Sequence, residues 1–333
     1  MPRKKSSIVV IGGGTGTYTL LSGLRDMDAN VTALMTMVDD GGSNRILRDE
    51  FGLLPTSGVR LAMVALSAQH SLLRELFLYR FHKGTGISGM TFGNLFLAAV
   101  TDIVGTQKEA IEKTCQLLSV RGTILPISYD DVRLVATYEN GHQVIGEHMI
   151  DEPHHDGTLR ITNMTTIPKA RISKEARAAI FEADLIVLGP GDFYTNTVAN
   201  LVVEGVADAI NGSKAKVVFV SNLMTKYGEA YNYTLCDYIT DLSAYMSIER
   251  LDAVLVNTDT DYSVDAMEKY KSENSIPVVD DTDSCIHSHI QIVRLPLSSH
   301  EIVDPQKGDL VKRSMIRHDS QKLAKAIMRF IQH

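Results

Sequence analysis

The run Ile8-Val9-Val10-Ile11, followed at once by Gly12-Gly13-Gly14-Thr15-Gly16, constrains this chain more than any other stretch. A short, wholly apolar segment reads as a strand covered on both faces, as in a parallel sheet of an α/β protein. A glycine-rich turn after it, leading into a helical pattern from Tyr18 to Met27, is a recurrent way of holding a phosphate. Glycine lets the backbone turn tightly and approach a ligand, and the unpaired N–H groups of the helix start point at the anion. The spacing is not the dinucleotide fingerprint. Counted from Gly12, G-x-G-x-x-G needs glycine at position 17, where the chain has Thr17. A tight turn without a ligand uses the same residues, so the following units carry weight.

Val31 to Val38 reads as the second strand and ends in Asp39-Asp40-Gly41-Gly42-Ser43-Asn44. In a doubly wound sheet, the loops at the carboxyl ends of neighbouring strands line one crevice. An adjacent acidic pair there can accept sugar hydroxyls, hold a divalent cation or position a nucleophile. Turn and cap chemistry is the plainer use of Asp-Gly. The rhythm then recurs. Asp184–Leu188 runs into Gly189-Pro190-Gly191-Asp192-Phe193-Tyr194-Thr195-Asn196 and a helix to about Ile210. Lys216–Val220 leads to Ser221-Asn222-Leu223-Met224-Thr225, and Leu251–Val256 to Asn257-Thr258-Asp259-Thr260. The expected fold is therefore a Rossmann-like three-layer α/β/α sandwich, with a mostly parallel sheet whose carboxyl edge is polar throughout. Between Asp131 and Ile167 the pattern alternates around an Asn140-Gly141 turn, which predicts an antiparallel β-hairpin excursion. It is read as an insertion within one domain spanning residues 1–333. Helices are expected over Ile46–Leu78, broken at Leu54–Gly58, and from Phe92-Gly93-Asn94-Leu95 onward, with the Gly89–Asn94 turn as a further backbone contact to ligand.

Composition narrows the function. The 333 residues are 44% hydrophobic and 22% charged, with a net charge of −7, which argues against a general nucleic-acid binder. Arg3-Lys4-Lys5 reads as a solvated tail. No apolar run reaches membrane-spanning length and no secretory leader pattern opens the chain, so a cytoplasmic location is expected. Cys115, Cys236 and Cys285 are far apart and odd in number, the pattern of reduced thiols without zinc spacing. His154-His155 reads as a solvated loop pair, and His287 and His289 as one face of a strand. Asp259, Asp261, Asp280, Asp281 and Asp283 read as solvated loops, while Arg294 and Arg313 belong to no motif.

Six motifs then stand in the order and spacing of a known group. They are Gly12–Gly16, Asp39–Ser43, Phe92–Leu95, Leu188–Gly191, Asn222–Thr225 and Leu255–Thr258. Together they resemble the CofD-like superfamily, which holds 2-phospho-lactate transferase and the bacterial YvcK-type gluconeogenesis factors. The resemblance runs over nearly the whole chain, and Ile316–Asp319 with Lys322–Ala324 is similar to the YvcK-type ending. It departs from the family pattern at Gly58, Asn44-Arg45, Met90 and Asp192, all within the expected crevice. What it implies is a cytoplasmic protein that binds a nucleotide or UDP-sugar such as UDP-N-acetylglucosamine, with a dinucleotide such as NAD as another fit. In the YvcK-type branch it implies support of cell-wall morphogenesis on gluconeogenic carbon. In the transferase branch it implies attack by a deazaflavin side-chain group on a phosphodiester, with magnesium and a departing guanosine phosphate.

Three functions follow as expectations: a UDP-sugar-binding regulator without turnover, a phosphoryl-type transferase, and an NAD-dependent oxidoreductase. The last lacks both the third glycine and a motif-borne catalytic His or Lys. The expected phosphate contacts are the backbone of Gly12, Gly13, Gly14, Thr15 and Gly16, joined by Ser43 and Arg60. Asp39 and Asp40, with Gly41 and Gly42, are placed at a ribose, sugar hydroxyl or magnesium ion, and with Arg60 they are the candidates for chemistry. Gly93, Asn94, Gly189, Pro190, Gly191 and Tyr194 form the opposite wall, Tyr194 as a stacking ring. Asn222 and Thr225 lie toward sugar or base. The expected partners are this small molecule, a second copy of the chain and a protein of the cell-wall machinery.

Overall fold

A computed structural model describes residues 5–68, 72–285, 289–299 and 315–331. Seven strands form one sheet and three form another. In chain order they are β1 (Ser7–Gly12), β2 (Asn30–Met35), β3 (Thr123–Pro126), β4 (Arg133–Tyr138), β5 (Gln143–Ile145), β6 (Ile161–Ile167), β7 (Leu185–Leu188), β8 (Lys216–Val220), β9 (Ala253–Asn257) and β10 (Gln291–Leu295). The large sheet runs β10-β9-β8-β7-β1-β2-β3, and each of its pairings is parallel. The chain winds outward from β1 through β2 to β3, then returns to β7 and winds the other way. That reversal between β1 and β7 is a topological switch point, where the connections at the carboxyl ends part and leave a crevice.

The apolar run Ile8–Ile11 sits at this centre. Val9 and Ile11 face one core while Ile8 and Val10 face the other, all four buried. One core packs the helices Gly14–Leu24, Ser57–Leu66 and Ser320–Met328 beneath the sheet. The other packs Lys174–Glu182, Val206–Gly212, Leu235–Leu242 and the small sheet above it. The expected excursion is a three-stranded antiparallel sheet, β5-β4-β6, with Asn140 and Gly141 in its turn. It does not hang free. Leu134, Ala136, Tyr138, Ile161 and Met164 join the core of the large sheet, which brings the segment after β5 over the crevice.

Two helical expectations shift. The first helix begins at Gly14, not Tyr18, so the phosphate-type turn is short and three of its residues already belong to the helix. The helix after β7 is not continuous to Ile210. It opens as a π-type turn over Phe193–Val198, passes through Ala199–Leu201, and restarts at Val206 after Gly205 in a left-handed conformation. The cysteine expectation is overturned. Cys236 and Cys285 form a disulfide with Cα atoms 6.0 Å apart, and only Cys115 is free. Their 49-residue separation in sequence hid a contact made where residues 276–285 run along the start of the helix Leu235–Leu242. Arg3, Lys4, His287 and Arg313 lie outside the described residues. No helix among the described residues is long and apolar enough to cross a membrane.

Candidate functional site

The glycine turn is held against the switch point by contacts that leave no room for side chains. Gly14 adopts φ +64°, and a Cβ on Gly16 would come within 2.8 Å of the Pro190 carbonyl group. Thr17, the residue that breaks the dinucleotide spacing, donates its hydroxyl to that same Pro190 oxygen at 2.9 Å. Asn200 reaches Gly12 O at 3.2 Å. The loop after β1 and the loop after β7 are thus one rigid unit. The helix Gly14–Leu24 has no side-chain cap and no acidic residue in its first turn, so its leading N–H groups remain available to an anion.

From this unit the polar edge extends in both directions. Beyond β2, Asp39 accepts the Gly41 N–H at 3.0 Å. Ser43 and Asn44 accept from Asn94 Nδ2 at 3.0 and 3.1 Å, with Ser57 alongside at 3.3 Å. Arg60 donates through Nε to Asn94 Oδ1 at 2.8 Å and through Nη1 to the Phe77 carbonyl at 3.0 Å. Asn94 and Arg60 are buried. The two therefore fix the start of the helix Phe92–Val104 against the Asp39–Asn44 loop. This places Arg60 behind the wall, where it orients Asn94.

The acidic pair divides its labour. Asp40 is buried and already engaged, accepting the His148 N–H at 2.9 Å and facing Arg133 at 3.5 Å. Asp39 faces other carboxylates. Burial raises its pKa, and Asp40 and Asp151 add to this against the Gly41 and Asn44 hydrogen bonds. Glu147 is raised well above the usual carboxylate range, first by burial and then by Asp39 and Asp151. Carboxylates that repel one another in a crevice favour a proton or a divalent cation between them. Asp39 and Glu147, each pushed up in part by Asp151, therefore hold a proton more readily than an ordinary carboxylate, with Asp40 committed to the His148 backbone and Arg133.

Across the crevice, Lys226 joins Asp151 to two further acids. Its ammonium pairs with Asp151, with Asp192 at 2.8 Å and with Glu229 at 3.3 Å. Burial lifts Glu229 to about 7 against the pull of Lys226. Glu229 also accepts the N–H groups of Tyr194 and Thr195 at 3.0 and 3.1 Å, and the Thr195 hydroxyl at 2.8 Å. Asp151, Asp192 and Glu229 lie close enough together to hold a metal, but the lysine already supplies the positive charge. None of Glu147, Asp151, Lys226 and Glu229 was among the expected site residues. Lys226 and Glu229 directly continue the Asn222–Thr225 motif, so extending that motif was the available signal. Glu147 and Asp151 lie on the short helix Glu147–Asp151 after β5, and nothing local marks that helix as facing the large sheet.

Farther along the edge, Asn222 donates to Gly191 O at 2.8 Å. It also lines a cavity of about 150 Å³ bounded by Ser221, Leu223, Asn257, Asp259 and Asp280. Thr225 stands behind this wall, buried, its hydroxyl accepting the Ile276 N–H at 3.0 Å. The stacking role expected of Tyr194 is not possible here. Its ring is buried against Phe193, and its hydroxyl bonds Asp241 at 2.6 Å and Tyr233 at 3.3 Å. The π-type turn rotates that side chain into the core and leaves only its backbone toward Glu229. The acidic stretch is largely solvent-facing, as expected, with Asp261, Asp280 and Asp283 exposed. Within it Asp280 and Asp283 pair with Arg294 at 2.6 and 2.9 Å, and Asp259 accepts from Ser298 at 2.8 Å. His155 packs its ring on Tyr138, 4.4 Å between centroids, while His154 is exposed.

A family model described as 2-phospho-L-lactate transferase CofD matches residues 8–298, from the start of β1 past the end of β10. The chain belongs to the CofD family. Among CofD family relatives, a Bacillus subtilis protein named "Gluconeogenesis factor" is 34% identical, the match covering 98% of each chain. A Thermotoga maritima protein bearing the same name, qualified as provisional, is 39% identical over 97% of this chain and 98% of its own. A crystal structure of a Bacillus halodurans protein superposes with a TM-score of 0.89 at 34% identity, covering 98% of this chain and 100% of that one. A second crystal structure, described as a UPF0052 family member from the same organism, gives 0.88. The Rossmann-like architecture and the CofD membership thus agree.

Proposed function

We propose that this CofD family member is a cytoplasmic nucleotide-sugar-binding regulator of the gluconeogenesis-factor type. Its ligand is a UDP-sugar, and its role is to support cell-wall morphogenesis during growth on gluconeogenic carbon. One observation carries the binding part: the uncapped start of the helix Gly14–Leu24 lies at the switch point against the Pro190 loop, which Asn222 also contacts, and β1 pairs with the strand β2 that leads to Asp39. Diphosphate oxygens fit the free N–H groups, and ribose or sugar hydroxyls fit carboxylates and amides nearby. The names of the relatives support the gluconeogenic part of the role. Titration calorimetry with UDP-N-acetylglucosamine tests it, and native mass spectrometry of freshly purified protein shows any nucleotide-sugar retained. No saturable heat with any UDP-sugar, and no retained nucleotide, removes the reading.

A transferase reading is favoured by a different observation, the raised pKa of Asp39 and Glu147 beside the proposed phosphate site. A carboxylate of that kind can take the proton of an attacking hydroxyl, while magnesium held at Asp39 would offset phosphate charge. Here an Asp39→Asn variant loses magnesium-dependent turnover with a nucleotide-linked phosphodiester. Unchanged turnover in that variant rejects it.

A further inference from the structure

The cavity at the ends of β8 and β9 has one wall made from a distant piece of chain. Residues 276–281 run as an extended strap between the loop after β8 and the start of the helix Leu235–Leu242. Thr225 N–H donates to Ile276 O at 2.7 Å and Val278 N–H to Leu223 O at 3.0 Å. On the other side Leu235 N–H donates to Val279 O at 2.9 Å, and Cys236 N–H to Asp281 Oδ1 at 2.9 Å. Pro277, Val278 and Asp280 of this strap line the cavity together with Leu235 and Asn222. The strap's far end is tied down covalently, because Cys285 bonds Cys236, the second residue of that helix.

We propose that Cys236 and Cys285 form a thiol–disulfide switch that fixes the 276–285 strap as the cavity wall when oxidised and releases its distal end when reduced. Cys285 is exposed and Cys236 half-buried, so an external thiolate reaches the Cys285 sulfur first. Attack there forms a mixed disulfide and expels Cys236 as a thiolate at a helix start, where the N-terminal dipole stabilises it. A second external thiolate then attacks the external sulfur of that mixed disulfide and expels Cys285 as a thiolate, which leaves two protein thiols and one low-molecular-weight disulfide. Oxidation is the reverse, with a small-molecule disulfide as the two-electron acceptor. Exposed disulfides are the labile, regulatory ones. In compartments that keep thiols reduced, disulfides are usually transient and redox-sensing or catalytic rather than structural. After reduction Arg294 still holds the side chains of Asp280, Thr282 and Asp283, so what is released is the tie of residues 281–285 to the helix start at Cys236, next to the cavity wall. Cys115 takes no part. It lies elsewhere in the fold, and burial pushes its thiol up to about 12.

The test uses the full chain equilibrated with dithiothreitol or with oxidised glutathione. Alkylation followed by mass measurement should count three thiols in the first state and one in the second. Hydrogen exchange at residues 281–285 should be faster in the reduced protein by at least about tenfold, with β1, β7 and β8 unchanged. Cys236→Ser should exchange like the reduced protein in both buffers. Three thiols after glutathione, or equal exchange in the two states, overturns the proposal. So does uptake of one equivalent of zinc by the reduced protein that Cys236→Ser abolishes, since Cys236, Asp281 and Cys285 would then be metal ligands. A parallel titration with UDP-N-acetylglucosamine should give a dissociation constant at least about fivefold different between the states. If that compound binds neither state the nucleotide-sugar reading fails, while thiol counts and exchange still decide the switch.

Discussion

Replacing Lys226 by methionine isolates the charge that holds the two sides of the crevice together. The substitution keeps the length of the apolar stem and deletes an ammonium that pairs with Asp192 at 2.8 Å, Glu229 at 3.3 Å and Asp151. Glu229 is buried and already saturated by Tyr194 and Thr195, so it cannot turn to water. Breaking such a buried pair by removing one partner typically costs about 3–5 kcal/mol. Unfolding entropy near 2.1 cal/mol/K per residue gives about 0.7 kcal/mol/K for a chain of this length, so the midpoint should fall by about 4–7 °C. The loss should depend on pH. Burial already holds Glu229 at about 7 in the folded protein, and without the lysine it rises further. The folded state then keeps a proton that the unfolded chain releases above about 4.3, so stability declines as pH rises. Thermal unfolding followed by circular dichroism should show the deficit large at pH 8 and small near pH 5. The double variant Lys226→Met with Glu229→Gln should recover much of it, because glutamine keeps an acceptor for Tyr194 and Thr195 without the charge. A midpoint shift below about 1 °C at pH 8, or a deficit equal at both pH values, would refute the reasoning.

Other outcomes are expected on separate grounds. Gly16→Ala sets a Cβ 2.8 Å from the Pro190 backbone and 2.9 Å from Gly191 N. It should cost about 1–3 kcal/mol in stability and weaken UDP-N-acetylglucosamine in calorimetry, whereas unchanged stability and affinity would show that the two loops are not a rigid unit. His318 is buried and its pKa is lowered to about 4 by burial. The unfolded chain takes up a proton near 6.5 that the folded state refuses, so stability should fall by about 3 kcal/mol as pH drops from 6.5 to 4; a denaturant series across that range with His318→Gln as control reads it. Asn94→Ala removes the acceptor of Arg60 and the donor to Ser43 and Asn44. Leaving a buried guanidinium short of a partner should cost about 1–3 kcal/mol, measurable as a drop in denaturation midpoint. Reducing the Cys236–Cys285 bond opens a loop of 49 residues and should lower stability by up to about 4 kcal/mol on the chain-entropy model, checked by thermal unfolding with and without dithiothreitol.

The strand runs, the glycine turn and the Asn-Gly hairpin all lie within a few residues of sequence, and each was legible there. Hydrophobic periodicity reports burial on a sheet, and a glycine that must turn or touch backbone marks itself by type. The crevice was legible to the same degree, because strands that alternate with helices must bring their carboxyl ends to one edge. What the residues did not disclose depended on rotation and on distance along the chain. Tyr194 turns inward only because the turn after β7 winds as a π-type helix, a shift of one residue in hydrogen bonding that no local pattern announces. Asp40 looks like Asp39 until His148 and Arg133 occupy it, and Glu147 and Asp151 join the site only because the small sheet packs onto the large one. Cys236 and Cys285 meet because residues 276–285 run along the start of the helix Leu235–Leu242, across 49 residues of sequence. Local chemistry thus settled the elements and where an anion can sit. Packing between elements settled which carboxylates face each other and which thiols touch, because those contacts exist only once burial of apolar surface has drawn separate segments together.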